Sequence, residues 1–198
     1  MSETAPWTRP QSVPFPSVVQ RHVGRRPQGG AGGDAPPAYL VQELPDGRHE
    51  EAVRLMADVF LREEPITSCF GLRDDPELKN EKLADLLKAV KEVEALVQPD
   101  VFERFGVPEC LYALGLVVAR EHRGQGLGEQ LLRARWPLGR ALGLRATSTV
   151  FTGPASQLLA RRAGFQALAE AAYGDQPHPA FHTITSSRSM IFMAAALE

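Results

Sequence analysis

Leu111-Tyr112-Ala113-Leu114-Gly115-Leu116-Val117-Val118-Ala119, followed three residues later by Arg123-Gly124-Gln125-Gly126-Leu127-Gly128, is the stretch that decides the fold of this 198-residue chain. The first run is apolar on both faces, the pattern of a strand buried in the middle of a sheet. From Gly124 onward the pattern changes to a helix, with Leu127, Leu131, Leu132, Leu138 and Leu142 along one side. Glycines at the junction let the backbone approach a ligand closely and adopt positive φ. The helix N-terminus behind them offers unpaired N–H groups and a positive dipole end. Together they make a site for a pyrophosphate, with Arg123 as an added cation. A dinucleotide fingerprint does not fit, because Gly124, Gly126 and Gly128 alternate and no acidic ribose residue follows a second strand at the right distance. A Walker loop does not fit either, since no Lys-Ser or Lys-Thr follows. The remaining alternative is a glycine-rich turn without a ligand. The strand-to-helix position and the preceding arginine favour the anion site.

Downstream, Pro137 lies inside the helix and predicts a kink, because the Arg133 carbonyl loses its donor. Gly143 ends the helix as its C′ residue. Arg145 to Phe151 reads as a strand, Pro154 opens a short helix that Gly164 terminates, and Phe165–Tyr173 and Arg188–Ala195 read as two final strands. Upstream, Tyr39–Leu44 is a short strand, Pro45-Asp46-Gly47 a turn, and Arg48–Arg62 an amphipathic helix on Ala52, Leu55, Met56, Val59 and Phe60. Pro65 ends that helix by holding Glu64 extended. A further helix is expected from Asp74 to Val97, and a short one over Val101–Phe105. Residues 1–37 are rich in Pro, Gly and Arg and read as a disordered tail, so the folded domain is expected over 38–198.

Composition narrows the function classes. A net charge of −2 with 23% charged residues argues against nucleic acid as the main partner. The longest apolar run is far short of the ~18 residues a membrane span needs. Cys69 and Cys110 match no zinc spacing, no metal site is expected, and two isolated thiols fit a reducing cytoplasm. No apolar segment of signal-peptide type follows Met1, and Pro10, Pro14 and Pro16 speak against an amphipathic import helix.

Arg123, Gly126 and Gly128 resemble the R/Q-x-x-G-x-G/A signature of the GNAT superfamily of N-acetyltransferases, and Gly164-Phe165 resembles the Gly-Phe after that superfamily's last helix. The likeness covers roughly Leu111–Phe165, the expected acetyl-CoA-binding core. It implies an α/β (α+β) acyl-CoA N-acyltransferase fold, a mixed sheet flanked by helices. It also implies that acetyl-CoA is the co-substrate. The loop Arg123, Gly124, Gln125, Gly126, Leu127 and Gly128 would hold its pyrophosphate, and Leu116, Val117 and Val118 would bond the pantetheine arm. Within the superfamily, Ala113-Leu114-Gly115-Leu116, Thr149-Val150-Phe151-Thr152, Ser156-Gln157 and Glu64-Pro65 resemble the insect arylalkylamine N-acetyltransferases.

That resemblance assigns Glu64 as the base for the ammonium proton and Ser156 as the acid for the leaving thiolate, with Thr152 beside it. The tyrosine acid of many acetyltransferases falls at Ala160 and is missing. At a helix C-terminus the negative dipole end favours the protonated form of Glu64, and Glu63 is expected to push the same way. Read from the residues alone, Glu63 and Glu64 are two solvated acids, Thr152 is an N-cap, Ser156 a first-turn polar residue and His122 a solvent-facing loop residue. The superfamily's β-hairpin before the buried strand has no counterpart between Ile66 and Cys110, where helix signals prevail, so an incomplete sheet with an apolar edge at Leu111 is expected. The reading is a cytoplasmic, monomeric acetyl-CoA-dependent N-acetyltransferase for a small arylalkylamine. The alternatives are a non-catalytic fragment that binds CoA or a full-length relative, and an acetyltransferase for protein or peptide amines.

Overall fold

The computed structural model describes residues 7–25, 35–70, 88, 91 and 101–198. The helix expected over Asp74–Val97, and most of the stretch in which the hairpin was sought, lie outside these residues. The main sheet has four strands in the order β3-β4-β6-β5: β3 Leu111–Tyr112, β4 Ala146–Phe151, β5 Gln166–Ala172 and β6 Ser189–Ala196. β3 runs parallel to β4, with Leu111 opposite Thr147, whereas β6 is antiparallel to both β4 and β5. The sheet is therefore mixed, as expected. β6 is buried from Ser189 to Ala195 and β4 over Ala146–Thr149 and at Phe151, so these two are the central strands.

The Leu111–Ala119 run is not the central strand that its apolar pattern predicts. Among the described residues β3 is an edge strand of two residues, and the sheet pairing stops after Tyr112. The Thr149 hydroxyl takes the Ala113 carbonyl in place of a ladder partner. At Gly115 the chain then closes onto the first helix, where an added Cβ would lie 3.0 Å from Phe60 Cζ. Packing against that helix, rather than a second ladder, covers this part of the run.

The first helical stretch, α1, runs His49–Leu55, passes through a π-helical turn at Met56–Phe60 and ends as Leu61–Glu63. Short helices follow: α2 Pro65–Cys69, α3 Val101–Phe105, α4 Leu127–Arg133, α5 Arg135–Ala141 and α6 Pro154–Ala163. α4 and α5 are the two halves of the helix that Pro137 was expected to kink, broken at Ala134 one turn before it. Both glycine stops are present. The N–H groups of Gly143 and Leu144 return to Arg140 and Gly139, and those of Gly164 and Phe165 return to Arg161 and Ala160. The Phe165 ring, left one residue beyond the stop, stands edge-on to Trp136 and to Phe151, each at 5.4 Å. With Leu132, Ala160, Ile191 and Met193 it forms the core between the sheet and α4–α6. α3 covers the other face through Val101 and Phe105.

Of the tail expected to be disordered over residues 1–37, residues 7–25 and 35–37 are described. Val18–Val23 forms a strand, β1, antiparallel to β2 Ala38–Gln42, with Arg21 opposite Leu40. Arg9 pairs with Glu43 at 2.7 Å, and the same carboxylate accepts the Ser17 N–H at 2.9 Å. Val13 packs on Leu142, Leu144 and Leu197. Counting apolar residues missed this order because a backbone ladder and an ion pair supply most of it.

Phe165→Ala removes a ring that is 4% exposed and touches both neighbouring aromatics. It should cost about 3–5 kcal/mol of unfolding free energy. Urea denaturation with an unchanged m-value checks this; a loss below 1 kcal/mol would show that the core does not depend on this ring.

Candidate functional site

The stretch Leu116–Ala119 is unpaired in any sheet and leads into a 3₁₀ turn at Arg120–His122. Gly124 and Gly126 have φ of +76° and +82°, a backbone region that suits glycine. Gly126 is the N-cap of α4, and no side chain among the described residues caps it. The first-turn amides of α4 therefore remain available to an anion. Space beside Gly124 is open, since an added Cβ would meet nothing within 4 Å. Gly128 has a different role: its Cβ would lie 2.9 Å from Leu159 Cδ1, so α4 and α6 pack through it. The loop thus fits a phosphate-bearing ligand at Gly124–Leu127. Leu116, Val117 and Val118 are half-buried beside it, with Leu116 packed on the main core.

The arginine expected at the anion is engaged elsewhere. Arg123 Nη2 pairs with Glu63 Oε2 at 2.6 Å, and its Nε donates to the Val118 carbonyl at 3.0 Å. Arg120 Nε takes the other oxygen of Glu63, also at 2.6 Å. Hydrogen bonding from Arg120, joined by Arg123 and opposed by partial burial, holds the Glu63 carboxyl below its ordinary range. Glu63 therefore does not act on Glu64 as an unscreened like charge, contrary to expectation. Its negative charge is matched by two guanidinium groups.

Glu64 is extended at φ −72°, ψ 132°, as the following proline requires. The chain turns there, and Glu64 becomes the N-cap of α2: Oε2 accepts the Thr67 N–H at 2.7 Å. Glu64 thus stands at two helix ends, the C-cap of the first helical stretch and the N-cap of α2, and its side chain is engaged by the second. The second oxygen, Oε1, is buried and makes no hydrogen bond among the described residues. A buried acceptor without a partner is costly and is poised to accept one. Around it stand Cys69, whose thiol is pushed up to about 11 by burial and then by Glu64, and Tyr173, whose phenol is raised by burial and then by Glu64 and Cys69.

α6 brings the remaining candidates to the same place. Its N-cap is Gly153 and not Thr152, so the cap expected of Thr152 is absent; Pro154 holds the first turn without it. An added Cβ on Gly153 would lie 3.6 Å from Pro65 Cγ, so the start of α6 abuts the residue after Glu64. Ser156 Oγ donates to the Gly153 carbonyl at 2.9 Å, and Tyr173 Oη donates to the Thr152 carbonyl at 2.7 Å. Gln157 is a buried clamp, with Nε2 bonded to the carbonyls of Phe151 and Ser189 at 3.1 and 2.9 Å. Ala160 is fully buried in the core, so no acid side chain is available at that position. Beyond Tyr173 lies an aromatic cluster: Phe181 stacks on it at 6.1 Å, Phe70 stands edge-on to Phe181 at 5.8 Å, and His178 meets Phe70 at 4.8 Å.

The fold thus gathers Glu64, Thr152 and Ser156 at one junction and the glycine loop at another, joined by the Glu63 bridge between α1 and Arg123. Sequence reading missed Tyr173, which reaches Thr152 across 21 residues, and His22, whose imidazole meets the Gln125 carbonyl at 2.7 Å. No local pattern signals either contact. Among the described residues no group of three His, Cys, Asp or Glu is placed to hold a metal, and no helix is long and apolar enough to cross a membrane.

Because the Glu63 carboxyl lies below its ordinary value of 4.5, the ion pair's contribution to stability is complete above that pH. It is lost as pH falls through the lowered folded-state value. The stability difference between wild type and Glu63→Gln should therefore be present at neutral pH and vanish in acid. A Glu63 NMR titration midpoint at or above the ordinary value would contradict the bridge.

Residues 41–165, more than half of the chain, match the family model described as the acetyltransferase (GNAT) family. No match is found among curated proteins. Among solved structures, a putative arylalkylamine N-acetyltransferase 7 from the yellow fever mosquito Aedes aegypti superposes with a TM-score of 0.84 at 28% identity, covering 98% of this chain and 100% of that one. Arylalkylamine N-acetyltransferase 2 from Aedes aegypti, at 16% identity, supports the fold alone, with a TM-score of 0.67 over 78% of this chain and 97% of its own. The Drosophila melanogaster polyamine N-acetyltransferase, which forms N-acetylagmatine, matches at 27% identity over 60% of this chain and 57% of its own, with a TM-score of 0.50. With its mixed sheet, its glycine-loop helix and this family match, the chain belongs to the acetyltransferase (GNAT) family and is an N-acetyltransferase.

Proposed function

We propose that the protein transfers the acetyl group of acetyl-CoA to the amine of a small arylalkylamine. The observation that carries this reading is the buried Oε1 of Glu64, without a hydrogen-bond partner among the described residues, at the junction of α2 with the start of α6. The co-substrate supplies an activated acetyl thioester; the chain's own residues orient the reactants and move protons. The amides at Gly124–Leu127 hold the pyrophosphate, and the backbone of Leu116–Val118, outside the sheet and with its Val118 carbonyl taken by Arg123, offers its other groups to the pantetheine arm. Oε1 of Glu64 takes a proton from the incoming ammonium, leaving a neutral nucleophilic amine. Thr67 keeps the other carboxylate oxygen in place meanwhile.

As the amine nitrogen bonds the acetyl carbon and the C–S bond breaks, the nitrogen loses a proton and the thiolate gains one. Ser156 relays it, giving its hydroxyl proton to sulfur and recovering one from the nitrogen. The Ser156 hydroxyl now points to the Gly153 carbonyl and reaches outward by rotation about χ1. Thr152 contributes through its carbonyl, which fixes the Tyr173 phenol next to Glu64. The half-buried rings of Phe70 and His178, at the outer edge of the aromatic cluster, favour an aryl group on the amine. The 28% identical mosquito structure described as a putative arylalkylamine N-acetyltransferase supports the same substrate class. Cys69 and Cys110 are both free thiols, in keeping with a reducing cytoplasm.

Calorimetric titration with acetyl-CoA, followed by tryptamine and a free-thiol assay, tests the proposal. Binding with thiol release is expected. Glu64→Gln should lower kcat by about 10²–10⁴-fold while acetyl-CoA binding persists. Wild-type turnover in that variant would remove Glu64 as the base. Thiol release with agmatine but not tryptamine would replace the aryl substrate by a polyamine-like one.

A further inference from the structure

Residues 13–25, β1 and its lead-in, run beside the glycine-loop helix, a position that neither the family signature nor the proposed chemistry uses. Val13 seats them against the cluster of Leu142, Leu144 and Leu197 just beyond α5. Midway, Gln20 Nε2 donates to both the backbone carbonyl and the side-chain oxygen of Gln130 on α4, at 3.2 and 3.1 Å. At the loop itself, His22 Nε2 lies 2.7 Å from the Gln125 carbonyl, and the Arg25 N–H donates to Gln125 Oε1 at 2.7 Å. A carbonyl only accepts, so the His22 proton is on Nε2. The imidazole is half-buried and stacked on Tyr39 of β2 at 6.3 Å, and Tyr39 is edge-on to His122 at 5.7 Å. The β1–β2 ladder therefore fixes the ring that fixes the loop.

The consequence lies in one peptide plane. In a trans peptide the C=O and N–H point in opposite directions. With the Gln125 carbonyl turned to His22, the Gly126 N–H of the same trans peptide is turned away from that imidazole. Gly126 has φ +82° and few steric limits of its own, so without an anchor this plane is free to rotate. We propose that His22 is a positioning residue of the coenzyme site: it holds the Gln125–Gly126 peptide so that the Gly126 amide presents to a pyrophosphate, making β1 a built part of that site. This rests on the reading that the loop binds acetyl-CoA.

Calorimetry with CoA on the full chain tests it, using wild type, His22→Ala and His22→Gln, each with a thermal melt. The expected result is an affinity about tenfold weaker in His22→Ala, the size of one lost hydrogen bond. His22→Gln, which restores an N–H donor, should recover most of that loss, and in turnover the defect should fall on the KM for acetyl-CoA rather than on kcat. Equal affinity in wild type and His22→Ala would overturn the inference, and so would tighter binding in His22→Ala, which would mark β1 as an obstruction. Weakening without recovery in His22→Gln, at matched melting temperatures, would overturn the donor role. Absence of CoA binding by the wild-type chain would instead overturn the functional reading, and this inference with it.

Discussion

The Glu63 carboxylate, held between Arg120 and Arg123, is the constraint on which the rest of the site depends. It ties the end of α1 to the turn before the glycine loop through two charge-assisted contacts of 2.6 Å each. All three side chains are partly exposed, so the bridge adds little to global stability. Its importance is positional. The next residue is Glu64, whose extended backbone and capping bond to Thr67 leave it little freedom once Glu63 is anchored. The candidate base and the candidate coenzyme loop, 60 residues apart along the chain, are thereby held in one frame.

That frame explains why neighbouring glutamates have unlike surroundings. Glu63 faces guanidinium groups and partial solvent, which stabilise its charge. Glu64 faces Cys69, Tyr173 and the start of α6, with one oxygen satisfied by a helix amide and the other left without a partner among the described residues. Two acids that look interchangeable in the sequence are divided between an ion-pair strut and a helix cap, the proposed proton acceptor, because the chain turns at Glu64 before Pro65. The π-helical turn at Met56–Phe60, packed on Gly115, sets the direction from which α1 arrives at this bend.

The loop shows a similar division among its glycines. Gly126 serves backbone conformation at the ligand-facing turn, whereas Gly128 serves the contact between α4 and α6. A signature that reads as one binding feature thus combines a conformational requirement with a packing requirement. The N-terminal segment adds a third, holding the loop from behind through Gln20, His22 and the Arg25 amide.

The sequence by itself determined the elements whose causes are local. These are the glycine stops at Gly143 and Gly164, the break before Pro137, the extended Glu64 before Pro65 and the strand-to-helix junction at Gly124–Gly126. Each follows from steric limits or hydrogen-bonding groups within one helical turn, and together they were enough to resemble the right family. Only the tertiary structure decided that, among the described residues, Leu111–Ala119 is a short edge rather than a central strand: its pairing ends at Tyr112, Gly115 closes onto α1, Leu116 packs on the main core and Leu114 stays exposed. It also decided that Glu64 caps a new helix, that the Thr152 carbonyl accepts the Tyr173 hydroxyl, and that Val18–Val23 is a strand. Apart from the Glu64 cap, which reaches only to Thr67, those outcomes depend on partners tens of residues away, such as Phe60, Tyr173, Glu43 and Gln125. Hydrogen bonds and ion pairs at that range are set by where the chain returns in space, which residue periodicity does not encode.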